Sequence, residues 1–152
     1  MRVTLSMLVL VLLAGCASGP NYRFFPPGAA LQEIRVLPDG QWALALLIQN
    51  NARLGIRVSG FEGSLSIDGV EAARFAASTD LQVAANGAER IELQLTPTSA
   101  AAGAVTQALA SSRGIAYVIE GTLSTSDPSK RSDPFRFESR LNPAPGLDGT
   151  LR

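Results

Sequence analysis

Apolar residues alternate with other residues along most of this 152-residue chain. The clearest run is Trp42 to Ile48, where the even positions carry large apolar side chains and the odd positions carry Ala43, Ala45 and Leu47. A repeat of two residues is that of a β-strand, because successive side chains point to opposite faces. Both faces of this run are apolar, which predicts a central strand covered on both sides. The chain is therefore expected to fold around β-sheets.

Turn signals separate the alternating segments. Asp68-Gly69 stands between two apolar runs and predicts a two-residue hairpin. Pro38-Asp39-Gly40 is a further turn, and Asn86-Gly87 predicts a second hairpin between the flanking strands. The alternation changes parity near Ser59-Gly60, which predicts a β-bulge there.

One segment has a different character. Ala100 to Ala110 is rich in alanine, follows the capping pair Thr98-Ser99, and precedes Arg113 and Gly114, which suit a helix end with a left-handed stop. Seven or eight short strands with one short α-helix predict a mainly β protein, an antiparallel β-sandwich of the immunoglobulin or fibronectin-III type.

The N-terminus has the composition of a targeting signal. Arg2 precedes an apolar run of about a dozen residues that ends in small side chains before Cys16. A helix needs ~20 apolar residues to cross a bilayer, so this run is too short for a permanent span. It indicates a secretory signal peptide.

Leu13-Ala14-Gly15-Cys16 resembles the bacterial lipoprotein signal, the lipobox, at all four positions. The resemblance implies cleavage between Gly15 and Cys16 and a lipid on Cys16 that anchors the protein in a membrane. Ala17 follows in place of the aspartate that marks retention at the inner membrane. The resemblance thus implies the cell envelope, at the inner leaflet of the outer membrane and facing the periplasm. The alternative is a soluble secreted protein whose signal happens to end near a cysteine.

These patterns divide the chain into four parts. Residues 1–15 are the signal peptide and 16–29 a lipidated cysteine with its tether, which contains Pro26-Pro27. Residues 30–142 are the sandwich, and 143–152 a flexible tail. The aromatic residues at 22–25 either pack on the membrane interface or the domain edge, or form a partner-docking motif.

Composition argues against catalysis. The chain has 13 basic and 13 acidic residues, no histidine and one cysteine. A basic excess for nucleic acid, a disulfide framework and the usual base for a nucleophilic serine are therefore missing. The acidic candidates are Glu62, Asp68, Glu71 and Asp80, of which Asp68 is explained by its turn and Glu62 and Glu71 by outward strand positions. We expect no enzyme, no catalytic residue, no metal site and no cofactor.

Residues 30 to 142 resemble the LEA type 2 domain, also called the water-stress and hypersensitive-response (WHy) domain. The resemblance lies in seven segments: Asp39-Gly40, Trp42 to Ile48 running into Asn50, Gly55-Ile56-Arg57-Val58, Leu65-x-Ile67-Asp68-Gly69, Ile91-x-Leu93-x-Leu95, the alanine-rich helix, and Tyr117-x-Ile119-x-Gly121. The proline that the family carries after the second strand is absent from Asn50-Asn51-Ala52, where asparagine suits a tight, partly left-handed turn.

The family resemblance implies a non-catalytic fibronectin-like sandwich with a role in stress or desiccation protection, or in binding apolar or lipid-like ligands. The alternative is a structural or assembly lipoprotein that docks onto an envelope or secretion complex. Partners would then be the membrane, through the lipid, and lipids or envelope proteins. The small side chains of the helix suggest an apolar pocket lined by Val105, Leu109 and Trp42. The sequence leaves the oligomeric state open.

Overall fold

The structure, a computed structural model, describes residues 25–152, which form two four-stranded antiparallel sheets and one helix. The strands are β1 (Gly28–Val36), β2 (Trp42–Gln49), β3 (Ile56–Ile67), β4 (Val70–Val83), β5 (Ala88–Leu95), β6 (Ile115–Asp127), β7 (Arg131–Leu141) and β8 (Thr150–Leu151), and the helix is α1 (Ser99–Ala110). The first sheet has the order β5-β2-β1-β8 and the second the order β4-β3-β6-β7. The predicted antiparallel β-sandwich is confirmed.

The core lies between the two sheets. β2 is central in the first sheet, and its inner face is buried along its whole length. Ala43 and Ala45 on the other face of β2 are buried as well. The strand with two apolar faces thus lies where the pattern predicted it, because only a central strand can cover both faces.

The turn between β3 and β4 has the geometry that its sequence predicts. Asp68 and Gly69 both have positive φ, 46° and 83°, which is the backbone of a type I′ hairpin turn. The pairing of β3 shifts between Val58 and Gly60, so the predicted bulge is also present.

The predicted hairpin around Asn86-Gly87 is wrong. β4 runs unbroken from Val70 to Val83 and pairs with β3 in the second sheet, whereas β5 pairs with β2 in the first. The turn therefore carries the chain from one sheet to the other. A turn signal reports a local reversal, and it does not report which strand the next segment will pair with.

The C-terminal segment differs from the expected flexible tail. Thr150 and Leu151 form β8 and pair with Arg35 and Ile34 of β1. Leu151 is fully buried, because its side chain completes the inner face at the edge of the first sheet. The sandwich also begins earlier than expected, since β1 starts at Gly28.

Helix α1 closes the sandwich near β3 and β4. Thr98 caps it by accepting from the Ala101 amide, and its own amide and hydroxyl donate to the carbonyls of Ala72 and Glu71. The left-handed residue after the helix is Ser112 (φ 51°), in place of the predicted Gly114. At Gly114 a side chain would meet the side-chain oxygen of Asn142 and lie 3.2 Å from the Leu141 carbonyl, so the exposed Asn142 side chain would have to move.

One row of residues crosses all four strands of the second sheet. Phe75, Gly63, Gly121 and Phe135 stand side by side in register. Residues directly opposite one another share a face, so the two buried phenylalanines flank the two glycines on the core side. A methyl group at Gly63 would strike the carbonyl of Glu120, and one at Gly121 the carbonyl of Glu62. We call these residues the Phe-Gly-Gly-Phe row.

Candidate functional site

The outer face of the second sheet carries three adjoining shallow grooves of 420, 460 and 430 Å³. Two of them share Ser59 and Ser124, and two share Glu62 and Ala76, so they follow one another along the strands. Their hydroxyl-bearing residues are Ser59, Ser64, Ser78, Thr122, Ser124, Thr125, Ser126 and Ser132. We call this set the hydroxyl face.

Strand alternation and pairing build this face. Outward positions of β3, β6 and β7 carry serine or threonine together with charged residues such as Glu62, Glu120 and Arg136, while their inward neighbours fill the core. The Ser59 hydroxyl donates to the Ser124 carbonyl at 3.2 Å, and the hydroxyls of Ser124 and Ser132 lie 3.1 Å apart. A hydroxyl both donates and accepts hydrogen bonds, so the face can bond to polar groups of either kind.

Most of the charges around the hydroxyl face are paired, and the two other charged residues that line the grooves, Glu62 and Lys130, have opposite signs. Arg57 meets Asp80 at 2.7 Å, Arg74 meets Glu71 at 3.2 Å, and Arg136 contacts Glu120. The hydrogen bond that Arg57 donates to Asp80 is the main reason that the pKa of Arg57 is raised above its ordinary value. These pairs cancel one another, which leaves the face close to neutral.

The acidic candidates do not form a catalytic group. Asp80 and Glu71 are paired with arginines, and Glu62 is exposed in the lining of two grooves. Asp68 accepts from the Ala116 amide at 2.8 Å and from Arg113 at 3.1 Å. Among residues 25–152, no three Asp, Glu, His or Cys side chains gather as metal ligands.

The backbone hydrogen bond from Ala116 is the largest cause that lowers the pKa of Asp68, and Arg113 adds to it against a desolvation effect. A lowered pKa keeps this carboxylate ionised and bound to its two donors. Asp68 is therefore a structural carboxylate that joins the β3–β4 turn to the start of β6.

The residues predicted to line an apolar pocket all belong to the core. Trp42 and Val105 are fully buried, and Leu109 is half-buried against the same cluster. The three grooves of the hydroxyl face have none of them in their linings, so the pocket stays a prediction. Gly15 and Cys16, the predicted cleavage and lipidation site, lie outside the described residues. In the described part of the chain, no helix has the length and apolarity to cross a bilayer.

Asn50 has a structural role that the sequence did not indicate. It is 2% exposed, and its side-chain amide donates to the carbonyls of Leu54 (2.8 Å) and Ala84 (2.9 Å). Its carbonyl oxygen accepts from the Ala52 amide at 3.0 Å. Neither Asn50 nor Asn51 is among the described residues with positive φ, so the expected left-handed turn is wrong. A polar residue directly after a fully apolar strand was the available signal.

A family model described as late embryogenesis abundant protein (LEA_2) matches residues 45–141. A solved structure from Arabidopsis thaliana is similar with a TM-score of 0.61 and 11% identity, over 88% of this chain and 93% of that one. A second, described as a late embryogenesis abundant protein, has a TM-score of 0.52 and 11% identity, over 97% of this chain and 90% of that one. At such identities the two likenesses show the fold alone. No curated protein matches the sequence.

Proposed function

Since the chain belongs to the late embryogenesis abundant protein family, we propose that it is a non-catalytic, stress-protective domain held at a membrane by a lipid on Cys16. The hydroxyl face is the part of the domain that acts. It would hydrogen-bond to neighbouring envelope surfaces when water is withdrawn.

The observation that carries this proposal is the neutral, hydroxyl-lined character of the face. Drying concentrates salt, and at 1 M salt the screening length falls to about 3 Å, so exposed ion pairs lose most of their reach. Hydrogen bonds from hydroxyls do not depend on net charge. A face built from serine and threonine therefore continues to bind polar surfaces under the conditions in which charged surfaces lose their attraction.

The non-catalytic part of the proposal is supported by the separation of the reactive groups. Each acidic residue singled out in the sequence has an arginine or a backbone partner, or stands exposed and alone. A general acid or base must lie within hydrogen-bond reach of the proton that it transfers on a bound substrate, and these carboxylates instead bind arginines or the backbone or stand on an open surface. The shallow grooves also lack the enclosed apolar character of an ordinary small-molecule site.

The anchor is proposed from the sequence. Leu13-Ala14-Gly15-Cys16 supplies the signal, and Ala17 favours the outer membrane with the domain facing the periplasm. One acyl chain binds a membrane only marginally, whereas two or more give stable attachment. Metabolic labelling with a fatty acid tests this directly, and loss of the label in Cys16→Ser is the expected result.

The protective role is tested on vesicles that carry the lipidated protein and an entrapped dye. After drying and rehydration, the wild type is expected to retain more dye than Ser59→Ala/Ser124→Ala/Ser132→Ala. A matched control is Thr96→Ala/Thr106→Ala, which removes exposed hydroxyls away from the face. Equal leakage from wild type and the triple variant would disprove the role of the hydroxyl face.

A second candidate function is docking onto an envelope complex. β1 has nine residues, and only Ile34 and Arg35 pair with β8, so most of this edge has no strand partner among the described residues. An open edge can accept a strand from another protein. Affinity capture from envelope extracts with and without Gly28→Pro tests this, and a stable complex lost in the variant would favour it.

A further inference from the structure

The end of the sandwich at which the described chain begins exposes two large apolar side chains. Phe25 is 49% exposed and Leu54 is 48% exposed. Gly28 of β1 pairs with Gln49 of β2, so the segment before β1 and the loop after β2 are neighbours. We call residues 25–27 together with the loop 50–55 the tether end.

The tether end is held rigidly. Asn50 bonds to Leu54 and Ala84, and the Asn86 amide donates to Ala52 at 3.0 Å. The side-chain amide of Asn51 donates to the Pro26 carbonyl at 3.5 Å. This bond joins the two parts of the tether end. Leu54 therefore faces solvent on a loop that is hydrogen-bonded to the rest of the domain.

The charges near the tether end balance. Arg57 is paired with Asp80, and Arg131 with Asp133. Arg53 and Lys130 are exposed, and two acidic residues belong to strand pairs at the same end, with Asp127 opposite Arg57 and Glu89 opposite Ile48. This end therefore offers neither strong attraction nor strong repulsion to a charged surface, and its apolar side chains decide what it binds.

The sequence places a membrane within reach of this end. Phe25 lies nine residues after Cys16, and an extended chain of that length spans at most about 30 Å. A short tether makes docking an intramolecular event with a high effective concentration, so a weak apolar contact is enough. Aromatic and aliphatic side chains favour the interfacial layer of a bilayer.

We propose that the tether end docks on the phospholipid bilayer, with Phe25 and Leu54 in its interfacial layer. The proposal rests on the lipid anchor of the proposed function. Docking fixes an orientation: the strands of both sheets end at this surface, so they stand upright on the membrane. The hydroxyl face then points sideways along the envelope, and helix α1 and the β3–β4 turn lie at the far end.

Full-length lipidated protein in vesicles of phosphatidylethanolamine and phosphatidylglycerol tests the orientation. Leu54→Cys is labelled with a polarity-sensitive fluorophore, since the only native cysteine is consumed by the lipid. Leu147→Cys is the matched control because Leu147 is 46% exposed and lies beyond the other end of β1, where the Gly149 carbonyl accepts from the Val36 amide. We expect nitroxide lipids to quench the probe at 54 and to leave the probe at 147 unquenched.

A second variant measures the apolar contribution. Phe25→Ser, added to the probe at 54, is expected to lower the docking equilibrium roughly tenfold, because a buried large apolar side chain is worth at least one decade of equilibrium constant. Val70→Ser at the far end is expected to leave it unchanged. Docking through apolar contact also predicts quenching that is insensitive to salt.

The outcomes separate this inference from the anchor. Co-sedimentation with vesicles reports the anchor, with Cys16→Ser as the unanchored reference. If the wild type sediments and both probes are quenched equally or not at all, the docking proposal is overturned and the anchor stands. If the wild type stays in the supernatant, both proposals fail.

Discussion

The hydroxyl of Tyr117 donates a buried hydrogen bond of 2.8 Å to the backbone carbonyl of Leu31. The two residues belong to different sheets, β6 and β1, so this bond crosses the core. Leu31 stands where the pairing of β1 and β2 shifts register, and the hydroxyl satisfies a carbonyl at that irregularity. Burial is the main reason that the pKa of Tyr117 is raised, against the lowering effect of the Leu31 and Ser139 hydrogen bonds.

Tyr117→Phe keeps the ring and removes the donor. The Leu31 carbonyl then loses its side-chain partner in the core, and we expect the free energy of unfolding to fall by about 1–3 kcal/mol. Denaturant titration at neutral pH measures the loss. An unchanged midpoint would show that water replaces the hydroxyl.

The raised pKa of Tyr117 also predicts the alkaline behaviour. Its ordinary value is 10.0, so as pH rises above about 10 the unfolded state loses this proton before the folded state does. The stability contribution is therefore complete below that pH and is lost as pH rises through the higher folded value. Wild type minus Tyr117→Phe isolates the effect, and identical alkaline curves for the two proteins would contradict it.

Asp68→Asn tests the carboxylate of the β3–β4 turn. The lowered pKa means that the ionised form stabilises the fold above the ordinary value of 3.8 and that this contribution is lost as pH falls through the lower folded value. Asparagine tolerates the left-handed backbone, so the turn is kept. We expect the variant to be about 1 kcal/mol less stable at neutral pH. The difference should shrink as pH falls below 3.8 and through the lower folded value, which denaturation at a series of acidic pH values measures.

Gly63→Ala tests the Phe-Gly-Gly-Phe row. The new methyl group would collide with the Glu120 carbonyl, and forcing the two strands apart is expected to cost about 1–3 kcal/mol. Gly103→Ala is the control, because nothing lies within 4 Å of a side chain there and the site is helical. The control should gain about 0.5–1 kcal/mol. If the strands at the row are in close contact, the midpoint of thermal unfolding falls in Gly63→Ala and rises in Gly103→Ala.

Asn50→Asp tests the asparagine that holds the loop after β2. A carboxylate cannot donate to the Leu54 and Ala84 carbonyls, and it is buried without a cation among its described contacts. We expect a loss of at least about 2 kcal/mol. Asn51→Asp is exposed and gives up one 3.5 Å bond, so it should change stability by less than about 0.5 kcal/mol. Similar losses of stability in Asn50→Asp and Asn51→Asp would contradict the structural role of Asn50.

Local chemistry predicted the local parts of this fold. Asp68-Gly69 has the composition of its turn, and Thr98 caps α1 as its sequence position suggested. The pairing of distant segments could not be predicted in this way. Strands of both sheets have the same two-residue repeat of apolar side chains, so the repeat does not show which sheet a strand joins. The crossing at Asn86-Gly87 and the pairing of Leu151 with Ile34 both depend on long-range contacts. The sequence-based predictions at these two places, a hairpin and a flexible tail, differ from the structure.

The candidate site divides in the same way. The outward positions of Ser64 and Thr122 follow from the alternation within β3 and β6. Their assembly into one face needs the pairing of those strands, in which Gly60 stands opposite Ser124. Sequence separations of about sixty residues carry no local signal, so the hydroxyl face became visible only in the folded chain.

The Phe-Gly-Gly-Phe row also links the interior to the surface. The backbone of Gly63 and Gly121 forms part of the lining of a groove on the outer face, while their absent side chains make room for close strand contact on the core side. A substitution at either position would thus reshape the groove without touching a hydroxyl. The shape of the groove on the outer surface thus depends on how closely the strands pack on the core side. A redesign of one side of the sheet would therefore also change the other.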